Sequence, residues 1–153
     1  MNLSTTTKGD IYNELQQFKK SDDAYELSLM YRPDNIQVLN NYSYYLALRG
    51  VDLEKAKLMS KKTIEMSPEE YNYYDTYAWI LFKMKKYKEA KKQMLLSIKN
   101  GGDKSFVIMD HMGDILFRKG EKEKARFYWE ESIKLGGNKS ILIDKIENGI
   151  SNE

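Results

Sequence analysis

The residues best equipped for chemistry stand close together: Asp110, His111 and Asp114, the chain's single histidine between two carboxylates. On a helix, Asp114 falls about one turn beyond Asp110. One imidazole and two carboxylates could hold a metal weakly, but established metal sites supply more ligands at tighter spacing. With one histidine and no cysteine, the usual nucleophile–base pairs are nearly absent. A second candidate, Gly101-Gly102-Asp103-Lys104-Ser105, has the look of a phosphate-binding loop. Such a loop needs a further glycine five residues before its Gly-Lys pair, and here Asp103 separates Gly102 from Lys104. The expectation is therefore no enzyme, no cofactor and no metal, with His111 serving a groove or a surface.

Elements able to position these residues come from an internal repeat. Ser97-Ile98-Lys99-Asn100-Gly101-Gly102-Asp103-Lys104-Ser105 returns 35 residues later as Ser132-Ile133-Lys134-Leu135-Gly136-Gly137-Asn138-Lys139-Ser140. That copy also identifies the glycine-rich run as a turn between repeats. Stepping backwards by the same interval reaches Thr63-Ile64-Glu65-Met66-Ser67-Pro68 and Ser28-Leu29-Met30-Tyr31-Arg32-Pro33. Small residues recur at Ser21, Ala56, Ala90 and Ala125, and again at Gly9, Ser43, Ala78 and Gly113. Tyr12, Leu46, Leu81 and Leu116 share one position; Tyr25, Ser60, Met94 and Trp129 share another. Spacings of three and four within each segment are helical, and no segment alternates with period two. Small residues at fixed offsets let antiparallel helices nest closely. The units read as residues 2–35, 36–70, 71–105 and 106–139, with one extra residue near Gly50-Val51 and one near Ser105. A last helix over 140–150 is expected to cover the end of unit four, because a terminal repeat must offer water a polar face.

Composition agrees with an all-α chain. Two prolines and nine glycines leave long stretches free of helix breakers. The 25 basic and 23 acidic residues give a formal charge of +2, too even to demand nucleic acid or an anionic membrane. The missing cysteines exclude disulfides and thiolate metal sites, and suit reducing and oxidising compartments alike. No apolar run approaches the ~18 residues of a membrane span, and Met1–Thr7 has no export-signal pattern. Because the array starts in register at Asn2 without a cap, the chain is expected to belong to a longer array.

A period of about 34 residues with Met112-Gly113, Gly120, Ala125 and Trp129 in unit four, and Tyr74, Tyr77-Ala78, Tyr87 and Ala90 in unit three, resembles the tetratricopeptide repeat. Pro33 and Pro68 close units one and two in the same manner, while Gly102 and Gly137 replace that proline later and Gln16 replaces a turn glycine. Asn40-Asn41-Tyr42-Ser43-Tyr44 and Asp75-Thr76-Tyr77-Ala78-Trp79 resemble a bacterial subset of the family. The resemblance implies an all-α, right-handed α-solenoid of four helix pairs plus a C-terminal capping helix, with first helices lining a concave groove that grips a peptide segment of a partner protein. Facing that groove would be Asn40, Asn41 and Tyr44 of unit two, Asp75, Thr76, Trp79 and Lys83 of unit three, and Asp110, His111, Asp114 and Arg118 of unit four. Unit one would add Thr6, Thr7, Asp10, Asn13 and Glu14.

Asparagine beside aromatic residues suits an extended peptide, since amides can bond both peptide N–H and C=O groups. Phe82 and Phe117 are expected to pack between first helices instead. Across the inner face Asp10, Glu14, Asp75, Asp110 and Asp114 outnumber Lys83 and Arg118, which argues for a neutral or basic protein or peptide as partner. Some relatives clamp a chaperone's terminal carboxylate with basic side chains. Asn41 could match that clamp's asparagine, but Thr6, Asn72 and Thr76 stand at the basic positions, so no such partner is expected. The alternatives are a structural spacer or self-assembly module, and an RNA-binding helical repeat, which the acidic face opposes.

Overall fold

In the computed structural model, residues 7–151 are described; Thr6 and the other residues assigned to the start of unit one lie outside them. Among the described residues the structure is helical, with nine α-helices and no strand. The first unit, residues 1–68, holds α1 (Lys8–Glu14), α2 (Phe18–Tyr31), α3 (Ile36–Arg49) and α4 (Leu53–Met66). The second, residues 69–153, holds α5 (Tyr71–Lys83), α6 (Tyr87–Lys99), α7 (Phe106–Arg118), α8 (Lys122–Lys134) and α9 (Lys139–Asn148).

Each helix pair turns in the same way, and the turn begins at the shared leucine-like position. Gln17, Val51, Lys86 and Glu121 donate their N–H groups to the carbonyls of Tyr12, Leu46, Leu81 and Leu116 at 2.9–3.1 Å. This six-to-one bond closes the first helix and requires a left-handed residue just before the donor. Gly50 and Gly120 fill that place at φ 69° and 87°, whereas Gln16 and Lys85 adopt φ 59° and 62° with a side chain present. The extra residue near Gly50 is absorbed by Asp52, left-handed at φ 48°. Near Ser105 the longer connection forms a 3-10 turn, Gly102–Lys104.

Most first helices start on side-chain caps. Asn35, Ser105 and Asn138 accept from Val38, Ile108 and Ile141 N–H at 3.1–3.3 Å, satisfying donors the helix leaves open. At α1, Thr7 and Asp10 form a reciprocal capping box. Behind these caps the small residues nest the pairs: Ser21, Ala56, Ala90 and Ala125 are all fully buried. The second unit's core gathers Leu81, Met94, Ile108, Met112, Ile115, Leu116, Trp129 and Leu142. Leu142 places α9 against that core, so the final helix is packed and not a loose tail. None of the described helices is long and apolar enough to cross a membrane.

Candidate functional site

Four residues expected on the inner face converge in the second unit. Trp79 and Lys83 of α5, with Asp114 and Arg118 of α7, line one cleft of about 330 Å³. Its opposite wall is α9 and the segment after it, through Ile141, Asp144, Lys145, Gly149, Ile150 and Ser151. From sequence, α9 is expected only to cover the end of unit four. A signal for more was present: Lys145 follows Asp110 by 35 residues, so α9 stands in the register of a first helix.

The cleft's aromatic wall is a stack. Trp79 lies 4.0 Å from the His111 ring at 21° and 4.6 Å from Phe82 at 17°. Phe82 stacks on a ring of its own helix and lines the cleft, while Phe117 packs on Trp129 of α8 at 5.7 Å; these ring contacts lie within a helix or a helix pair and not between first helices. Trp79 is 9% exposed, and among the described residues its indole N–H has no hydrogen-bond partner. His111 Nδ1 meets Asp75 Oδ1 at 2.8 Å. Burial pulls the imidazole's pKa down, but the charge and hydrogen bond of Asp75, with Asp114 and Asp110 behind it, leave it raised.

Asp110 and Asp114 are not open to a ligand's cation. Lys145 Nζ reaches Asp110 at 2.7 Å and Asp114 at 2.9 and 3.2 Å, and Trp129 Nε1 donates to Asp114 at 3.0 Å. Burial pushes the Asp114 carboxyl up despite Lys145 beside it, with Asp110 adding to the rise. Lys145 is held above its ordinary value, because the two aspartates outweigh its own burial. Among the described residues no three carboxylate or imidazole groups converge as a metal site.

In the first unit the expected residues are spent differently. Asn41 Nδ2 donates to Asp10 Oδ1 at 3.2 Å, and Tyr25 donates its hydroxyl to the same oxygen. Asp10 is fully buried, so one acid counted on the inner face belongs to the interior. Asn40 donates to Asn41 at 3.5 Å while its own Oδ1 is buried without a partner. Tyr44 is half-buried, tilted against Tyr45 at 5.9 Å. Thr76, in the second unit, is buried and turns its hydroxyl back to the Asn72 carbonyl at 3.1 Å.

The charge tally consequently changes. Asp10 is capped by neutral donors, Asp75 by His111, and Asp110 and Asp114 by Lys145. What lines the cleft is Lys83, Arg118 and Lys145 against Asp114 and Asp144, with no acidic excess. Periodicity cannot show such pairing, because each partner lies on a different helix.

Helix pairs of constant turn geometry, nested on small residues, define a helical-hairpin repeat protein. The family description Tetratricopeptide repeat matches residues 6–35. Among solved structures, MamA superimposes with a TM-score of 0.75 at 18% identity, covering 92% of this chain and 81% of that one. PilF from Pseudomonas aeruginosa gives 0.73 at 21% identity, covering 92% of this chain, which spans 66% of PilF. MamA from Desulfovibrio magneticus RS-1 gives 0.73 at 12%, covering 83% and 71%. No curated protein sequence matches. Residues 6–35 match the tetratricopeptide repeat, and the described helices have the fold of a tetratricopeptide solenoid.

Proposed function

We propose that this protein is a non-catalytic interaction scaffold whose cleft in residues 69–151 grips an extended, uncharged segment of a partner protein. The supporting observation is the convergence of Trp79, Lys83, Asp114 and Arg118 on one cleft, with Arg118 Nη2 already donating to a main-chain carbonyl, that of Ser151. A wall of stacked rings offers apolar area at low entropic cost, and a guanidinium beside it offers donors to peptide carbonyls. Balanced charge at the rim favours a neutral segment over a strongly basic one. Asp75, Thr76, Asp110 and His111 belong to this reading as the framework of the second unit's inner face, and Asn40, Asn41 and Tyr44 as that of the first unit's.

Peptides selected from a random displayed library on the full chain provide the test. They are expected to bind Lys83→Ala and Arg118→Ala at least tenfold more weakly, and Lys61→Ala, far from the cleft in sequence, as well as wild type. Selected peptides that ignore both cleft substitutions would move the binding surface elsewhere.

A second reading, self-assembly, is favoured by one feature of the first unit. Met30 and Tyr31 on α2 are 78% and 81% exposed beside the half-exposed Leu27, an apolar group that water does not favour. Sedimentation across a range of concentrations would show association that Met30→Glu removes; a monomer at every concentration rejects it.

A further inference from the structure

After α9, residues 149–151 stay on the second unit. Gly149 turns it at φ 74° and ψ −167°, a conformation essentially confined to glycine. A Cβ on Gly149 would overlap the Phe117 ring, so the backbone lies directly on that aromatic face. Ile150 is half-buried against the core. One residue on, the Ser151 carbonyl accepts from Arg118 Nη2. Three consecutive residues are each fixed by a different device, and both Phe117 and Arg118 belong to α7, with Arg118 lining the cleft.

We infer that Gly149-Ile150-Ser151 is a built-in competitor for the cleft. It takes the Arg118 donor and closes one rim, and a partner segment enters by displacing it. The inference rests on the cleft being the partner site, and it deepens that reading by stating what the partner must offer. A segment replacing this one presents a main-chain carbonyl to Arg118 and an aliphatic side chain where Ile150 sits, in extended conformation and without a charge at those two positions. Glycine ahead of the aliphatic residue is required by the closeness of Phe117. Because the competitor is tethered, it acts at high effective concentration, and a free peptide sees only the fraction of molecules in which the segment is out.

The experiment uses the full chain and a synthetic heptapeptide copying residues 147–153, titrated while the Trp79 indole proton is followed by NMR. Gly149→Ala adds the methyl that the Phe117 ring does not admit and disfavours the turn. Ile150→Asp removes the aliphatic anchor by a separate route, so the result does not depend on one variant keeping its fold. Both are expected to bind the heptapeptide at least tenfold more tightly than wild type, and Arg118→Ala added to either should abolish the gain. Equal binding by wild type and the two variants, or no binding by either variant, would overturn the inference. The library-selected peptides separate this from the underlying reading. If they bind wild type and Gly149→Ala alike yet depend on Lys83, the competitor is wrong and the cleft stands. If they ignore Lys83 and Arg118, the cleft reading falls, and loss of the tenfold gain would sink the competitor independently.

Discussion

One arrangement occurs once in each unit, built from different residues. In residues 1–68, Gly9 leaves room on α1 for the Tyr25 ring of α2, and the next residue, Asp10, accepts the Tyr25 hydroxyl. In residues 69–153, Gly113 leaves room on α7 for Trp129 of α8, and Asp114 accepts the indole N–H. The helix that follows then supplies a third partner: Asn41 of α3 for Asp10, Lys145 of α9 for Asp114. The two intervening pairs have no glycine and no aromatic residue at these positions, using Ser43 with Ser60 and Ala78 with Met94. A glycine–aromatic match and a small–medium match fill similar space, which is how a repeat tolerates such exchange. The difference lies in the third partner. A neutral amide satisfies a carboxylate by hydrogen bonding alone, whereas an ammonium also brings a charge that must itself be paired when buried.

The largest effect should follow from breaking the charged version. Lys145→Met leaves Asp110 and Asp114 without their cation, and removing one partner of a buried pair costs about 3–5 kcal/mol. With Lys145 about 17% exposed and Asp110 about 30%, screening places the expectation at the lower end. The matching Asn41→Leu in the first unit should cost only about 1–2 kcal/mol, since Asp10 retains Tyr25 and the Thr7 N–H. Both tryptophans lie in the second unit, so indole fluorescence in urea reads that unit and circular dichroism reads both. The deficit of Lys145→Met should narrow on acidification. A carboxyl whose folded pKa is raised contributes stability that is present below its unfolded value and lost as pH rises through the folded one, and Asp114 is such a group.

Next in size are the two glycines. Gly113→Ala and Gly9→Ala drive a methyl into Trp129 and Tyr25, and overpacking of this kind costs about 1–3 kcal/mol, although alanine is otherwise the better helix former. The double variant Gly113→Ala/Trp129→Met copies the Ala78–Met94 pair of the same unit. It should recover much of the loss, with the remainder reporting the vanished indole bond to Asp114. If the double variant is no better than the single, the two packings are not interchangeable and the equivalence fails.

How much of this the sequence shows depends on whether a residue acts within its own helix pair. Gly9, Ser43, Ala78 and Gly113 fall on one register, as do Tyr25, Ser60, Met94 and Trp129, and all eight are buried. Nesting depends on volume at fixed offsets, and volume is written in residue type. The offset of Asp10 predicts the inner face; its interior position follows from Tyr25 and Asn41, which reach it from two other helices. The Thr7–Asp10 capping box was the available clue. Lys145 escaped for the same reason, since it meets Asp110 and Asp114 only once α9 is docked.

A smaller effect separates the units by pH. The chain's one histidine is in the second, where its pKa is raised because Asp75, Asp114 and Asp110 together outweigh burial. The stability it contributes is fully present below its ordinary value of about 6.5 and declines as pH climbs through the raised value. Indole-detected urea midpoints should therefore fall between pH 6 and pH 8, and His111→Gln should flatten that trend. The charged groups facing His111 are Asp75, Asp110 and Asp114, with Lys145 bound to the latter two, so a trend that persists in the variant would assign it to the Asp114–Lys145 pair.

The smallest expected change sharpens the comparison inside each unit, because each contains one glycine and one non-glycine version of the same turn. Gly50 and Gly120 reach positive φ without steric cost, while Gln16 and Lys85 hold φ 59° and 62° against the clash of Cβ with the following carbonyl. All four turns keep the same six-to-one bond at 2.9–3.1 Å, so the backbone geometry is fixed by the repeat and not by the residue. Gln16→Gly and Lys85→Gly should therefore relieve about 1 kcal/mol of strain in the folded state. Part of that gain is offset by the greater freedom of glycine in the unfolded chain, which costs roughly 0.5–1 kcal/mol. A net stabilisation of a few tenths of a kcal/mol is expected for each, read as a small rise in the urea midpoint at unchanged slope. Gly120→Lys, the reverse exchange within the second unit, should lower the midpoint by a similar amount. If it lowers stability by several kcal/mol instead, Gly120 serves a close contact that Lys85 does not, and the two turns are alike only in their hydrogen bonds.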